Sequence, residues 1–385
     1  MGPLRGYTVI EIAGIGPGPF AGMLLADMGA EVIRVERPGG SMLSISDKPE
    51  FDFLNRGKRC ICVNLKTPEG VETVLKLLEQ ADAILEGFRP GVMEKLGLGP
   101  DVCLERNPEL VFGRMTGWGQ EGPMAQSAGH DINYIALAGA LHPIGRAGEK
   151  PSIPLNLAGD FGGGGLMLAF GMVCALLESR TSGEGQVVDA AMIDGAATLM
   201  ASTFAALQVG FWSEERGTNL LDSGAHFYEV YETSDGKYIS LGSIEPQFYS
   251  QLMDRLGDDA VHFQNQWDMK SWPDMKEKMT GIIKQKTRQE WDDIFAGSDV
   301  CYAPVLAMGE AKDHPHHRAR KTFIDDDGIW QPAPAPRFSR TQASVPSRAA
   351  GLGEHTDEIL RDFGFSDEEI KAKYAANAIA RLSTD

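Results

Sequence analysis

The sequence predicts an α/β fold: a parallel sheet covered by helices, followed by a smaller α+β domain. Three observations carry this expectation. Short β-branched runs alternate with helical stretches through the first 190 residues, the order of a parallel sheet. Beyond residue 190 that alternation stops, and a paired-strand segment and short helices replace it. The chain has 385 residues and is 43% apolar, long enough for two domains with full cores.

The elements follow in order. YTVIEIAG (7–14) reads as a buried strand. GIGPGPFAGMLLADMG (14–29) is a glycine-rich turn entering a helix, with Pro19 suited to the first turn. AEVIRVERP (30–38) is a second strand and completes a βαβ unit. RCICVNLK (59–66) is a third. Thr67 caps the next helix, Pro68 takes its first position, and Val71, Val74, Leu75 and Leu78 form its apolar stripe. ADAILEGF (81–88) and PELVFGRMTG (108–117) supply further strands. The charge-free run Phe161 to Leu177 spans 17 residues, is short for a membrane span, and reads as a buried helix. Residues 192–212, rich in Ala and Met, read as one long helix. HFYEVYETSDGKYISLGS (226–243) reads as two strands joined at Asp235-Gly236. Short helices run to about 325, and QPAPAPRFS (331–339) is a Pro-rich crossing. In the tail, Ser366 and Glu369 fit a capping box, and Phe365 and Ile370 a hydrophobic staple. These signals place a large domain at 1–190, a linker helix region at 191–224, a small domain at 225–325 and a C-terminal return at 326–385.

Charge and cysteine usage narrow the function. The net charge of −18, from 36 basic and 54 acidic residues, argues against a nucleic-acid binder. The five cysteines, at 60, 62, 103, 174 and 301, match neither a disulfide framework nor a zinc knuckle. A reducing, cytoplasmic setting is expected. The opening MGPLRGYTVIEIAG has no sustained apolar core of a signal peptide, and Gly6 stands where a myristoylation pattern needs Ser or Thr. No membrane association is expected.

Several motifs admit two readings. Gly16, Gly18 and Ala21 fit a loose G-x-G-x-x-A fingerprint, with Glu36 twenty residues after Gly16. Two prolines inside the loop, and Arg34 and Arg37 beside the acid, favour a structural turn over a nicotinamide site. Arg34, Arg37, Arg56, Lys58, Arg59, Lys66 and Arg89 fall in the first ninety residues of an acidic chain, several of them at strand ends. They are either solvated surface or the wall of a polyphosphate pocket. AGHDINY (128–134) sets His130 beside Asp131, and NLAGDFGGGG (156–165) sets Asp160 before four glycines. His130 is a bonded core histidine or a base; Asp160 is a helix N-cap or an acid. The group His314, His316 and His317 has metal-like composition but reads as a solvated loop.

Taken together, IGPGPFAGMLLADMGAEVIRVERPG, RGKR, FRPGVMEKLGLGP, RMTGWGQEGP, AGHDINY, PLNLAGDFGGGG, GEGQVVDAAMIDG and GSIEPQFY resemble the family III CoA-transferase superfamily. Within it they resemble most the alpha-methylacyl-CoA racemase branch. The likeness runs in order from about residue 4 to 330, and GEHTDEILRDFGFSDEEI resembles the family's tail. One departure is His226, where the racemases usually carry proline.

The resemblance implies a Rossmann-like large domain and a small domain, in two subunits interlocked like chain links. The active site would lie between the large domain of one subunit and the small domain of the other. The CoA nucleotide would lie against Arg37, Val63, Asn64, Leu65, Lys66, Arg89 and Lys95. The thioester would meet Gly129, His130, Asp131, Ile132, Asn133 and Tyr134. Racemising a 2-methylacyl-CoA removes the proton beside the thioester carbonyl and returns one on the opposite face. His130 and Asp160 would be the two acid/base groups. Backbone N–H groups at a helix start by Asp160 would hold the enolate oxygen. Glu245 would orient His130, unless it only caps the helix beginning at Pro246; Asp131 is the alternative orienting group. No metal or redox cofactor is implied. The rival within the fold is a CoA transferase with Asp160 as nucleophile, and outside it a non-catalytic acyl-CoA-binding protein. The histidine of GHD favours proton transfer.

Overall fold

The computed structural model of the protein describes residues 2–40, 48–263 and 265–381. Two compact units share the chain. The large one comprises Met1–Ala138, Leu155–Leu199 and Thr322–Asp385, and the small one Gly139–Pro154 and Met200–Lys321. Composition did not reveal that 139–154 and 200–224 group with the rest of the small unit.

The large unit opens with β1 (Thr8–Ile12), α1 (Pro17–Asp27) and β2 (Glu31–Glu36). Then come β3 (Lys58–Val63), α2 (Pro68–Leu78), β4 (Ala83–Glu86), the short α3 (Val92–Lys95) and α4 (Pro100–Arg106), and β5 (Val111–Thr116). Helix α5 (Asp131–Leu137) precedes a π-helical turn (Leu157–Gly165), α6 (Leu166–Ser182), β6 (Gln186–Ala191) and α7 (Met192–Leu199). These six strands lie in the order β3-β2-β1-β4-β5-β6, all parallel. The order reverses between β1 and β4, and in such sheets ligands bind at the carboxyl ends beside that reversal.

Strand periodicity explains the two-sided core. Ile10, Ile33, Ile61, Ile84 and Phe112 point to one face, with Val74, Leu77 and Leu78 of α2. Their neighbours Val9, Val32, Leu85 and Val111 point to the other, with α1 and α6. Thr67 caps α2 as expected, its Oγ1 accepting Gly70 N–H at 3.1 Å.

Helix α6 departs from the expectation of full burial. Leu168, Met172 and Ala175 meet the sheet, but Phe170 and Leu177 are 65% and 63% exposed. An outer-layer helix buries one stripe, and a charge-free composition does not say which layer a helix occupies. Leu157–Ser182 is long and apolar enough to cross a membrane by length and composition alone, and 44% of its most apolar window is buried. The glycine run lets backbones meet: a Cβ on Gly195 would stand 1.8 Å from Gly163 O, and one on Gly165 2.5 Å from Pro17 O.

The small unit begins with α8 (Ala201–Gln208). The long helix expected over 192–212 is therefore two helices, parted at Met200 (φ −90°, ψ 6°), where the units also divide. Strands β7 (Tyr228–Glu232) and β8 (Tyr238–Gly242) pair antiparallel around the Asp235-Gly236 turn, with Gly236 at φ 72°. Helices α9 (Pro246–Leu256), α10 (Trp272–Ile283) and α11 (Arg288–Phe295) cover them. Strand β9 (Tyr302–Val305) completes the sheet, before α12 (Met308–Ala311) and α13 (Pro315–Arg320). His226 is fully buried here, its Nε2 2.8 Å from the Tyr249 hydroxyl, and burial lowers its pKa to about 4.

The chain then returns to the large unit. β10 (Phe323–Asp326) and β11 (Ile329–Pro332) form a hairpin, followed by α14 (Thr356–Asp362), α15 (Asp367–Ala375) and β12 (Ile379–Ala380). The Ser366–Glu369 capping box forms, and Phe365 and Ile370 are both buried. β12 pairs antiparallel with β3 at the sheet edge. Buried Arg56 fastens the return: it binds Asp27 at 3.1 and 2.6 Å, Gln331 at 2.8 Å and Pro332 O at 2.7 Å.

Candidate active site

Two cavities meet at the strand-order reversal, with Ile15, Gly87 and Phe88 lining both. The larger, about 840 Å³, is walled by Arg37–Gly40 after β2 and by Val63–Lys66 after β3. The other, about 670 Å³, is walled by Gly16, Arg89, Trp118, Gly129, His130, Asn133, Tyr134 and Asp160. Carboxyl ends of parallel strands therefore supply one wall of each.

Ion pairing sorts the basic residues. Lys58 and Arg56 are buried against Glu11 and Asp27, each at 2.6 Å. Arg59 holds Glu31 and Asp362, both at 2.6 Å, and Arg34 pairs with Glu36. Arg37, Lys66 and Arg89 stay exposed at the cavities. Lys95 is exposed at the end of α3 and lines neither cavity. Glu36 is 3% exposed and accepts Arg37 N–H at 3.0 Å, so it is already engaged. Gly16 has φ 66°, and the neighbour a Cβ would meet is Asp160 Oδ2, at 3.3 Å. The glycine loop serves the second cavity, which favours the structural turn over the dinucleotide fingerprint.

His130 is the N-cap of α5, with extended backbone (φ −135°, ψ 174°). Its N–H donates to Asn133 Oδ1 at 3.0 Å, and its imidazole is exposed rather than locked in a core. One turn on, Tyr134 donates its hydroxyl to Gly129 O and packs edge-on against Trp118, centroids 4.8 Å apart. Glycines make room for that ring: a Cβ on Gly117 or Gly129 would lie 2.1 or 2.7 Å from it. Burial, then the Asp160 charge, raise the Tyr134 pKa.

Asp160 is not the helix N-cap the sequence suggested. It sits inside the π-helical turn, and its own N–H donates to Asp131 Oδ1 at 2.6 Å. Asn156 Nδ2 donates to its Oδ2 at 3.1 Å. Burial raises its pKa, and the Asp131 charge adds to this; Asn156 and His130 act the other way.

Asp131, 6% exposed, neither lines a cavity nor orients His130. Successive helical positions diverge by about 100°, so His130 faces the cavity while Asp131 turns inward. Ile132 is 37% exposed and also lines neither cavity. Glu245, in the small unit, is the exposed N-cap of α9, and its carboxylate accepts no capping hydrogen bond. His314 caps α13, its Nδ1 accepting His316 N–H at 3.3 Å. Among the described residues no group of three or more His, Cys, Asp or Glu is arranged for a metal ion.

Sequence reasoning missed Ile15, Gly16, Phe88 and Trp118 as wall residues. The glycine of GWG that admits Tyr134 was the one available signal for the aromatic wall. An imidazole and a carboxyl group of raised proton affinity on one cavity can take a proton from a carbon acid and return one.

A family model described as CoA-transferase family III matches residues 4–356. Alpha-methylacyl-CoA racemase of Mus musculus is 48% identical over 95% of both chains, and that of Homo sapiens 45% over the same shares. A CAIB/BAIF family protein from Brucella suis, solved by crystallography, superposes with a TM-score of 0.81 at 27% identity, covering 94% of this chain and 99% of that one.

Proposed function

The chain belongs to CoA-transferase family III, and from that membership we propose that it is a racemase of 2-methylacyl-CoA thioesters. The 45–48% identity to alpha-methylacyl-CoA racemases over 95% of the chain supports this reading. The observation that carries it is His130 and Asp160 on the wall of one cavity. One group takes the α-proton, an enolate forms, and the other delivers a proton to the opposite face. The reverse direction exchanges the roles. Proton count and oxidation state are unchanged, so the step asks for no redox partner.

Raised proton affinity suits Asp160 to this exchange, because an ordinary aspartate is a poor proton donor near neutral pH. The enolate oxygen needs donors. Of those expected beside Asp160, its own N–H is spent on Asp131 Oδ1 and that of Phe161 on Asn156 O. The first turn of α5, directly after His130, leaves backbone N–H groups outside the helical ladder, and we assign them this task. Arg37, Lys66 and Arg89 would bind the phosphates of CoA in the larger cavity and beside it, with Val63, Asn64 and Leu65 against the nucleotide and Lys95 further out. An interlocked homodimer would bring Glu245 of the partner to His130, where its uncommitted carboxylate would fix the imidazole tautomer. Free cysteines fit a cytoplasmic enzyme.

The test is incubation of either 2-methylacyl-CoA epimer in D₂O without an acceptor acid, followed by proton NMR. Loss of the α-proton signal and equilibration of the epimers are expected. An unchanged α-signal, with CoA transfer when a free acid is added, would move the assignment to transferase chemistry with Asp160 as nucleophile.

A further inference from the structure

We infer that Asp131 is a positioning residue that ties the element carrying His130 to the element carrying Asp160, and so sets the gap across which the α-proton is exchanged. This rests on the racemase reading above. Asp131 follows His130 directly, at the first position of α5. Its Oδ1 accepts the backbone N–H of Asp160 at 2.6 Å. The two backbones come close at this tie: a Cβ added to Gly159 would stand 2.4 Å from Asp131 Oδ1 and 3.2 Å from Asp131 Cα. A shift of α5 therefore moves the π-helical turn with it, and the two proton-transfer groups keep one spacing.

A carboxylate does something here that a neutral acceptor would not. Asparagine offers the same Oδ1 to the Asp160 N–H. Asp131 instead presents a second oxygen, Oδ2, that is buried with no protein partner. A buried, half-bonded carboxylate is costly, so a mere strut would be better made of an amide. The groups facing Asp160 are His130, Asp131 and Tyr134 on α5, Asn156 on its own segment and uncharged Gly16 before α1. Of these, Asp131 adds to the burial that raises the Asp160 pKa, whereas Asn156 and His130 oppose it. Asp131 thus fixes the position of Asp160 through one oxygen and favours its acid form through its charge.

The experiment compares wild type, Asp131→Ala and Asp131→Asn by α-deuterium wash-in from each epimer, over a range of pH, with circular dichroism for folding. For Asp131→Ala, kcat should fall about 10²-fold in both directions, as displacement of a catalytic group by an ångström does. Its KM for acyl-CoA should stay within about threefold, because the nucleotide cavity is untouched. Asp131→Asn keeps the acceptor, so its kcat should exceed that of Asp131→Ala by about tenfold or more, and the limb of its pH profile belonging to Asp160 should move to lower pH. An Asp131→Ala kcat close to wild type, or a loss confined to KM, overturns the role. So does an asparagine variant with an unmoved limb, and that result decides the matter if the alanine variant does not fold. Wild type without wash-in would sink the racemase reading itself, whereas wash-in that survives Asp131→Ala sinks this role alone.

Discussion

Gly16 holds φ 66° beside the Asp160 carboxyl, which the place of a Cβ approaches to 3.3 Å. Alanine there meets two costs. A backbone at φ 66° and ψ −115° is one that side chains other than glycine rarely adopt, costing about 1–3 kcal/mol, and the methyl crowds the carboxyl. Gly16→Ala should therefore lower kcat more than it raises KM, with a fall in Tm of about 2–4 °C by calorimetry. Asp160→Asn should slow α-proton exchange by about 10²–10⁴-fold while calorimetric CoA binding survives. The pH sense follows from the raised pKa of Asp160. As a base it must be ionised, so the acid limb of the rate profile lies above the ordinary aspartate value of about 3.9. The residue types behind this proposed chemistry were legible in the sequence, since types and their order are local. Direction was not: nothing in HD or GD says that Asp131 points to the backbone of Asp160, or that Asp160 lies in a π-helical turn.

At the end of β4, one buried carboxylate organises the turn shared by both cavities. Glu86 accepts Phe88 N–H at 2.6 Å and Arg114 Nε at 3.1 Å, and Arg114 reaches Glu94 of α3 at 2.8 Å. Burial raises Glu86 from 4.5 to about 7. The folded state then holds this proton more tightly than the unfolded chain. Its stabilising contribution is full below 4.5 and fades as pH rises toward 7. Glu86→Gln lacks that titration, so the Tm of wild type relative to the variant should fall across this window in thermal melts. Arg37→Ala, on the wall of the larger cavity, should raise KM with little change in kcat. A pure kcat effect with unchanged CoA affinity would contradict its placement. Caps and strands were readable because they depend on a few neighbours: Thr67 and Ser366 cap as their spacing requires. The break at Met200 and the exposed side of α6 were not, because periodicity shows a face and not what covers it.

Over the whole molecule, the site appears unevenly in the sequence because its proposed parts are divided between units. His130 and Asp160 belong to the large unit and Glu245 to the small one. The exposed Phe170 and Leu177 of α6 give the large unit apolar surface for the proposed partner subunit to cover. If Glu245 acts across subunits, His130→Ala and Glu245→Ala chains should be inactive alone and regain activity when refolded together. One site of each mixed dimer would hold both native residues and the other neither. Activity of dual-tagged, purified mixed dimers measures this; mixed dimers as dead as either parent, with wild type surviving the same refolding, would exclude the shared site.

The edge strand β12 has a consequence in time. Asn64, at the end of β3 and on the wall of the larger cavity, gives its side-chain amide to Asn377 O across 313 residues of chain. Its backbone N–H likewise waits for Ala378 O. At about 5–20 residues per second, a ribosome needs roughly 15–60 s between making the first partner and the second. Throughout that interval the nascent large unit presents an open β3 edge, while the entire small unit is still being made. Until β12 is made, the β3 edge beside Val63–Lys66 stays unpaired, so this cavity wall takes its final form only after the entire small unit has been synthesised.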